Sequence, residues 1–349
     1  MMKLNLLTPV KRRWLSILTA LSMSVSALFY VTGCIGDNVL TTPITVTDYK
    51  LNTYVRIYSY SNVRKEILTD ALKLCDTYEH IFSRTLASSE LYKVNHKETN
   101  IISRELATLI NIGLEYGEIS NGAFDITIGS VSSLWDFTSE TPRVPDDNKI
   151  KQALSFVDYT QVHLTENSDG TYTIDMPEGT CLDLGAIAKG YIADRIKDYL
   201  QEHNVSRGII NLGGNVLCIG QKKNDTNFSI GVKQPFAQDG SSLMETLSIN
   251  DSSVVSSGTY ERYFYENDKF YHHILNPSTG YPYDNELWDV TILSSDSTTG
   301  DCLSTVCFVL GLDKGMNLIE SYEGVEAIFM SNDGTKYYSS GADKYIFRQ

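Results

Sequence analysis

Two neighbouring histidines, His272 and His273, stand in "FYHHILNPSTGYPY" (270–283), directly before a Pro-Ser-Thr-Gly turn. An imidazole titrates near neutrality, so one fixed beside a rigid turn suits a general base; the alternative is a strand end where one ring packs and the other is solvated. Downstream, "DCLSTVCFVLG" (301–311) sets Asp301 and Thr305 four apart on a predicted helix, with Ser304 beside them, so their oxygens leave one face. A carboxylate with hydroxyls fits a hard cation such as Mg²⁺, which takes oxygen ligands and keeps phosphate oxygens or waters. The alternative is a helix start, with Asp301 as N-cap or dipole partner and Thr305 merely packed. In "DLGAIAKGY" (183–191), Gly185 permits close backbone approach, the helix that follows offers free N–H groups, and Lys189 adds a positive charge one turn in. A glycine there serves packing just as well, as do Gly213 and Gly214 in "NLGGN".

These groups need a scaffold. The stretch 49–60, "YKLNTYVRIYSY", alternates in part and reads as a strand. Residues 62–80 place Ile67, Ala71, Leu74, Cys75 and Tyr78 at helical spacing, and 103–119 does the same with Leu106, Leu109, Ile110, Gly113 and Leu114, stopped by Asn121-Gly122. A hairpin is predicted over 161–176 around Ser-Asp-Gly. "RGIINLGGNVLCIG" (207–220), "FSIGVKQP", "METLSI", "SVVSSG", "YERYFYEND" and "WDVTILSS" supply short strands, and a helix is expected from Asp301 to near Tyr322. Strands and helices come in blocks, which predicts an α+β fold: antiparallel-rich sheets with packed helices in two intimately joined lobes.

With 349 residues, 42% of them hydrophobic, and only 8 prolines, the chain can bury a substantial core. The net charge of -14 argues against nucleic acid as a partner, since phosphate contacts need concentrated Lys and Arg. An anionic ligand therefore needs a local cation. Lys3, Lys11, Arg12 and Arg13 precede an uncharged run from Trp14 to Gly33, and "VTGC" ends at Cys34. That layout is a bacterial export signal over 1–33, and its end resembles a lipobox, with Cys34 lipidated, a polar tether over 34–48 and the body over 49–349. An uncleaved membrane helix is the alternative; either way the body lies outside the cytoplasm, on the extracytoplasmic face of the membrane. The five remaining cysteines form no C-x-x-C pair and read as small buried apolar residues.

Seven stretches in order, "SSELYKVN" (88–95), "NGAFDITIG" (121–129), "LDLGAIAKGYIAD" (182–194), "NLGGN" (211–215), "SSGTYERY" (256–263), "HHILNPSTGYP" (272–282) and "DCLSTVCFVLG" (301–311), resemble the motif series of the ApbE family, the FAD:protein FMN transferases. The resemblance spans roughly residues 50 to 335 and implies a T-fold-like α+β body. It implies that Asp183 and Lys189 touch FAD, that Ala123, Phe124, Asp125 and Leu275 line the flavin nucleotide, and that the Ala186 carbonyl, Asp301 and Thr305 hold Mg²⁺. Ser304 stands where some relatives place a second metal carboxylate. Leu51 and Thr85 occupy positions that contact flavin in relatives, and Asn276 replaces the Asp of H-I-x-D-P. The family histidine is His273, expected to take the proton from an acceptor hydroxyl. The implied reaction moves FMN from FAD to a Thr or Ser of an exported or membrane redox protein and releases AMP. Mn²⁺ is the alternative metal. The other readings are an FAD pyrophosphatase and a non-catalytic FAD-binding lipoprotein.

Overall fold

The computed structural model describes residues 39–237 and 242–348. The expected export signal over 1–33 and Cys34 lie outside the described residues. The strands are β1 Val39–Lys50, β2 Thr53–Ser61, β3 Ile101–Ile102, β4 His163–Glu166, β5 Tyr172–Asp175, β6 Gly208–Leu212, β7 Asn215–Ile219, β8 Phe228–Lys233 and β9 Leu243–Ile249. They continue with β10 Ser253–Gly258, β11 Tyr263–Glu266, β12 Lys269–His272, β13 Leu287–Ser294, β14 Glu326–Ser331 and β15 Lys336–Tyr338. The helices are α1 Lys65–Phe82, α2 Glu90–Asn95, α3 Arg104–Ile119, α4 Gly129–Trp135, α5 Asp147–Leu154, α6 Ala188–Glu202, α7 Ser297–Leu310 and α8 Leu312–Glu320.

Eight strands form one antiparallel sheet in the order β1-β2-β6-β7-β10-β13-β14-β15. Side chains alternate across its two faces, as strand geometry requires. Ile57, Ile210, Leu217, Val290, Ile292 and Phe329 join Leu68, Cys75, Ile196, Val306 and Phe308 of helices α1, α6 and α7 in the main core. The opposite face gives Val216, Val254, Leu293, Ile328 and Met330 to a second core with the β8–β9 ribbon. Burial on both faces explains the unbroken apolar character of β7, where alternation is absent from the sequence. A third cluster packs the β11–β12 hairpin on α4 and α5 through Trp135, Ile150 and Phe264. The α+β, antiparallel-rich expectation matches this architecture. From Val39 onward the described residues form one compact unit.

Three boundaries differ from the sequence reading. Residues from Val39 to 48, expected as tether, form most of β1, and 49–60 is the end of β1, a turn at Leu51 and Asn52 with φ of 53° and 58°, and β2. Positive φ at both central residues is what a tight hairpin turn demands. The helix expected from Asp301 to Tyr322 starts earlier, at Ser297, and breaks at Gly311, whose φ of 78° turns the chain into α8. The start of α7 is capped twice: Asp296 Oδ1 accepts from the Thr299 N–H at 2.8 Å, and Asp194 of α6 accepts from the N–H groups of Ser297 and Thr298, both at 2.8 Å. Asp301 therefore sits in the second turn and has no capping role, which removes the alternative reading of that residue.

Candidate functional site

Helices α6 and α7 meet at Gly190, where a Cβ would lie 2.3 Å from the Ser297 carbonyl oxygen and 2.8 Å from the Asp301 Cβ. That close approach lets the Gly190 N–H donate to Asp301 Oδ2 at 2.7 Å. In a regular helix the same N–H would serve the carbonyl four residues back, which is that of Ala186. Among the described residues no backbone N–H reaches that carbonyl, so Ala186 O and the Asp301 carboxylate are two oxygen acceptors brought together by one diverted hydrogen bond. Thr305 adds a half-buried hydroxyl, and Ser257 of β10 bridges Thr305 Oγ1 at 3.1 Å and Ser304 Oγ at 2.8 Å. Ser304 is fully buried and also donates to the Asp301 carbonyl at 3.0 Å, so it steadies the ligand-bearing turn. Carboxylate, carbonyl and hydroxyl oxygens are the donor set of a hard divalent cation.

Burial pushes the Asp301 carboxyl above the ordinary carboxylate range, and the charge of Lys189 and the Gly190 N–H pull it back. Asn215 of β7 is buried, with its Oδ1 accepting from Ser297 Oγ at 2.6 Å and its Nδ2 without a hydrogen-bond partner among the described residues. The charge of Lys189 lowers the pKa of both the Asp301 carboxyl and the His273 ring.

The two histidines divide. His272 is buried, its Nε2 donates to the Tyr283 carbonyl at 2.8 Å, and its Nδ1 accepts from the Ile274 N–H at 3.3 Å. Both nitrogens are used, so this ring is structural. The His273 N–H donates to the Arg262 carbonyl at 3.1 Å, while its Nδ1 is buried without a partner. Burial first, then the charges of Arg262, His272 and Lys189, lower its pKa to about 3, so the ring is neutral at physiological pH. A neutral imidazole with an uncommitted nitrogen is the form a base needs.

Burial also lowers His272 to about 4 from the ordinary 6.5. Its contribution to stability is therefore complete above about pH 6.5, declines as the pH falls, and is gone below about 4, a loss of about 3 kcal/mol. Urea unfolding at pH 7.5 and pH 4.5 checks this: the drop in stability on acidification should be smaller in His272→Gln than in wild type. An equal drop would mean that His272 does not titrate across folding.

The remaining expected residues converge from four loops. Asp183 Oδ2 accepts from Arg84 Nε at 2.9 Å and Ser132 Oγ at 2.8 Å, and Oδ1 accepts from the Gly185 N–H at 3.0 Å. The Arg84 pair draws the exposed Thr85 to the Asp183 loop, and the Asp183 N–H donates to the Ile126 carbonyl at 2.7 Å, drawing in 123–126. Tyr283 Oη donates to the Ala123 carbonyl at 2.8 Å, joining that loop to the turn after the histidines. Phe124 is buried. Asp125 turns inward: Oδ1 accepts from the N–H and hydroxyl of Thr127 at 2.7 and 2.6 Å, and Oδ2 from the Tyr159 N–H at 3.1 Å. Its carboxylate is thus an anchor for two loops, which leaves backbone to face a ligand. Leu275 is buried in the α4–hairpin cluster and bridges to Pro282. Leu51 lies in the β1–β2 turn, whose Thr53 side chain packs on Gly213, so the two turns touch. Arg84, Ser257 and Asn215 were not singled out in the sequence; the last two lie inside "SSGTYERY" and "NLGGN", and only the folded contacts give them a role.

The ApbE family model matches residues 42–329. The chain belongs to the ApbE family. An FAD:protein FMN transferase of Klebsiella pneumoniae is 38% identical over 294 residues, covering 80% of this chain and 90% of the relative, and one of Treponema pallidum is 33% identical, covering 82% and 83%. The crystal structure of an ApbE protein from Thermotoga maritima aligns with a TM-score of 0.79 at 32% identity, over 88% of this chain and 100% of that one. The ApbE flavin transferase of Vibrio cholerae shares the fold, with a TM-score of 0.75 at 24% identity.

Proposed function

We propose that this chain transfers the FMN moiety of FAD onto a Thr or Ser hydroxyl of an exported or membrane redox protein, releasing AMP. The observation that carries the reading is the contrast between the two histidines: both ring nitrogens of His272 are spent on the fold, and His273 is neutral with its Nδ1 unpartnered. The names of the Klebsiella and Treponema relatives support the same reaction. FAD's pyrophosphate is a dianion meeting a chain of net charge -14, so cations must receive it. Lys189 and Arg84 are the protein's own. The Ala186 carbonyl, Asp301 and Thr305 would hold Mg²⁺, or Mn²⁺, which supplies charge neutralisation on the phosphate oxygens.

His273 accepts the hydroxyl proton of the acceptor, whose oxygen forms a bond to the FMN-side phosphorus. The phosphorus–oxygen bond to AMP breaks, and its electron pair leaves on the AMP phosphate. The product is FMN joined to protein by a phosphoester. Incubating the mature chain with FAD, Mg²⁺ and a panel of extracytoplasmic redox-protein domains tests this by acceptor mass and free AMP. One FMN gained per AMP released supports it; AMP and FMN without labelling of any domain points to hydrolysis, and intact FAD to simple binding.

The export signal and Val-Thr-Gly-Cys support a lipid anchor at Cys34, facing the acceptor across the membrane surface. Labelling cells with a traceable fatty acid is the check: the wild type should carry the label and Cys34→Ala should not, and an unlabelled wild type refutes a lipid anchor.

A further inference from the structure

Asp289 of β13 is fully buried, and among the described residues its side chain hydrogen-bonds to Tyr260 and Thr291 and to none of the site residues above. Its Oδ1 accepts from Tyr260 Oη at 3.0 Å and its Oδ2 from Thr291 Oγ1 at 2.8 Å, and Thr291 Oγ1 is in turn 2.8 Å from Ser256 Oγ of β10. Tyr260 belongs to the connection between β10, which carries Ser257, and the β11–β12 hairpin, which leads into His273. The connection is held at two backbone points: the Thr259 N–H donates to the Trp288 carbonyl at 3.0 Å, and the Arg262 carbonyl accepts from the His273 N–H at 3.1 Å. Between them the Tyr260 ring lies against Gly258, where a Cβ would come within 2.3 Å of the ring.

We propose that Asp289 is a positioning residue: by receiving the Tyr260 hydroxyl it fixes residues 259–262, and through the Arg262 carbonyl it sets where His273 stands relative to the Ser257–Thr305 cluster. The geometry explains why an acid is buried here. The segment leading into α6, together with α7, supplies the metal-type oxygens and a separate two-stranded hairpin leads into the histidine, and the hairpin pairs with no strand of the main sheet among the described residues. A side-chain tie is needed where no ladder exists. Burial, with the neighbouring charge of Glu261, pushes the Asp289 carboxyl up to about 7, and the facing groups are Tyr260 and Thr291, with Lys233 5.7 Å from the Tyr260 ring on its far end. Among the described residues no cation pairs with the carboxyl, so a neutral amide is a faithful replacement: its oxygen accepts from Tyr260 and its nitrogen donates to Thr291.

The inference rests on the proposed role of His273 only for its functional meaning; the tie itself is measured without any acceptor. Hydrogen exchange is followed in wild type, Asp289→Asn, Asp289→Ala and Tyr260→Phe, with FMN transfer assayed in parallel. Asp289→Ala and Tyr260→Phe should each lose about tenfold or more protection in segments 259–263 and 272–274 while α7 keeps its own, with transfer falling in step. Asp289→Asn should retain both. Unchanged protection in the alanine and phenylalanine variants overturns the proposal, as does loss spread evenly over the main sheet, or an asparagine variant that fails like alanine. Absence of transfer in wild type would count against the proposed reaction and leave the exchange result standing.

Discussion

Replacing His273 by alanine lowers flavin transfer about 10²–10⁴-fold, the usual worth of a general base, with FAD affinity nearly unchanged. The ring's Nδ1 is buried without a partner and its neutral form dominates, so alanine removes no ion pair and no hydrogen bond of that nitrogen. An interaction used only while the proton moves reduces kcat and kcat/KM together. His272→Ala should behave in the opposite way, with stability reduced by loss of the Tyr283 and Ile274 hydrogen bonds and the transfer rate per folded molecule close to wild type. Single-turnover labelling of an acceptor, with FAD binding measured by quenching of flavin fluorescence, separates the two. The assignment fails if His273→Ala transfers at the wild-type rate, or if its whole defect lies in FAD binding.

The sequence could not separate those histidines on its own, because both precede the same turn; only the resemblance favoured His273. The structural reason, the carbonyl of Tyr283 that occupies His272, lies in a turn across the chain. The same limit governed Asp301. Its spacing to Thr305 was legible as one helical face, but so was a helix start, and the caps that decide the matter are Asp296 and the distant Asp194 of α6. Local pattern served well for α1 and α3, whose apolar stripes follow the helical period. It failed at β1, a sheet-edge strand whose one exposed face is filled by Thr and Asp and so reads as a tether. It failed again at Gly311, where a continuous apolar run hides a break made by one positive φ. Arg84 and Asn215 carried no pattern at all, since their roles are contacts with Asp183 and with Ser297 far along the chain.

Asp301 should be the residue through which Mg²⁺ stabilises the fold. Its carboxyl is buried, and burial raises its pKa, so without a cation the ionised form is a liability: stability contributed at acid pH is lost as pH rises above the ordinary carboxylate value. A bound cation reverses that penalty and adds stability by mass action, about 2.7 kcal/mol at a concentration 100 times its Kd. Asp301→Asn removes the charge and keeps an oxygen to accept from the Gly190 N–H, so the contact between α6 and α7 survives. The metal-free variant at pH 8 should accordingly be at least as stable as metal-free wild type. On adding Mg²⁺, wild type should move to higher denaturant and the variant should stay where it was, with cation affinity down about 100-fold or more. Guanidinium unfolding with and without Mg²⁺, and a Mn²⁺ titration followed by electron paramagnetic resonance, read both quantities without any turnover. Equal Mg²⁺ stabilisation of the two proteins would place the cation elsewhere, and a metal-free variant much weaker than wild type would mean that the carboxylate serves the helix contact itself.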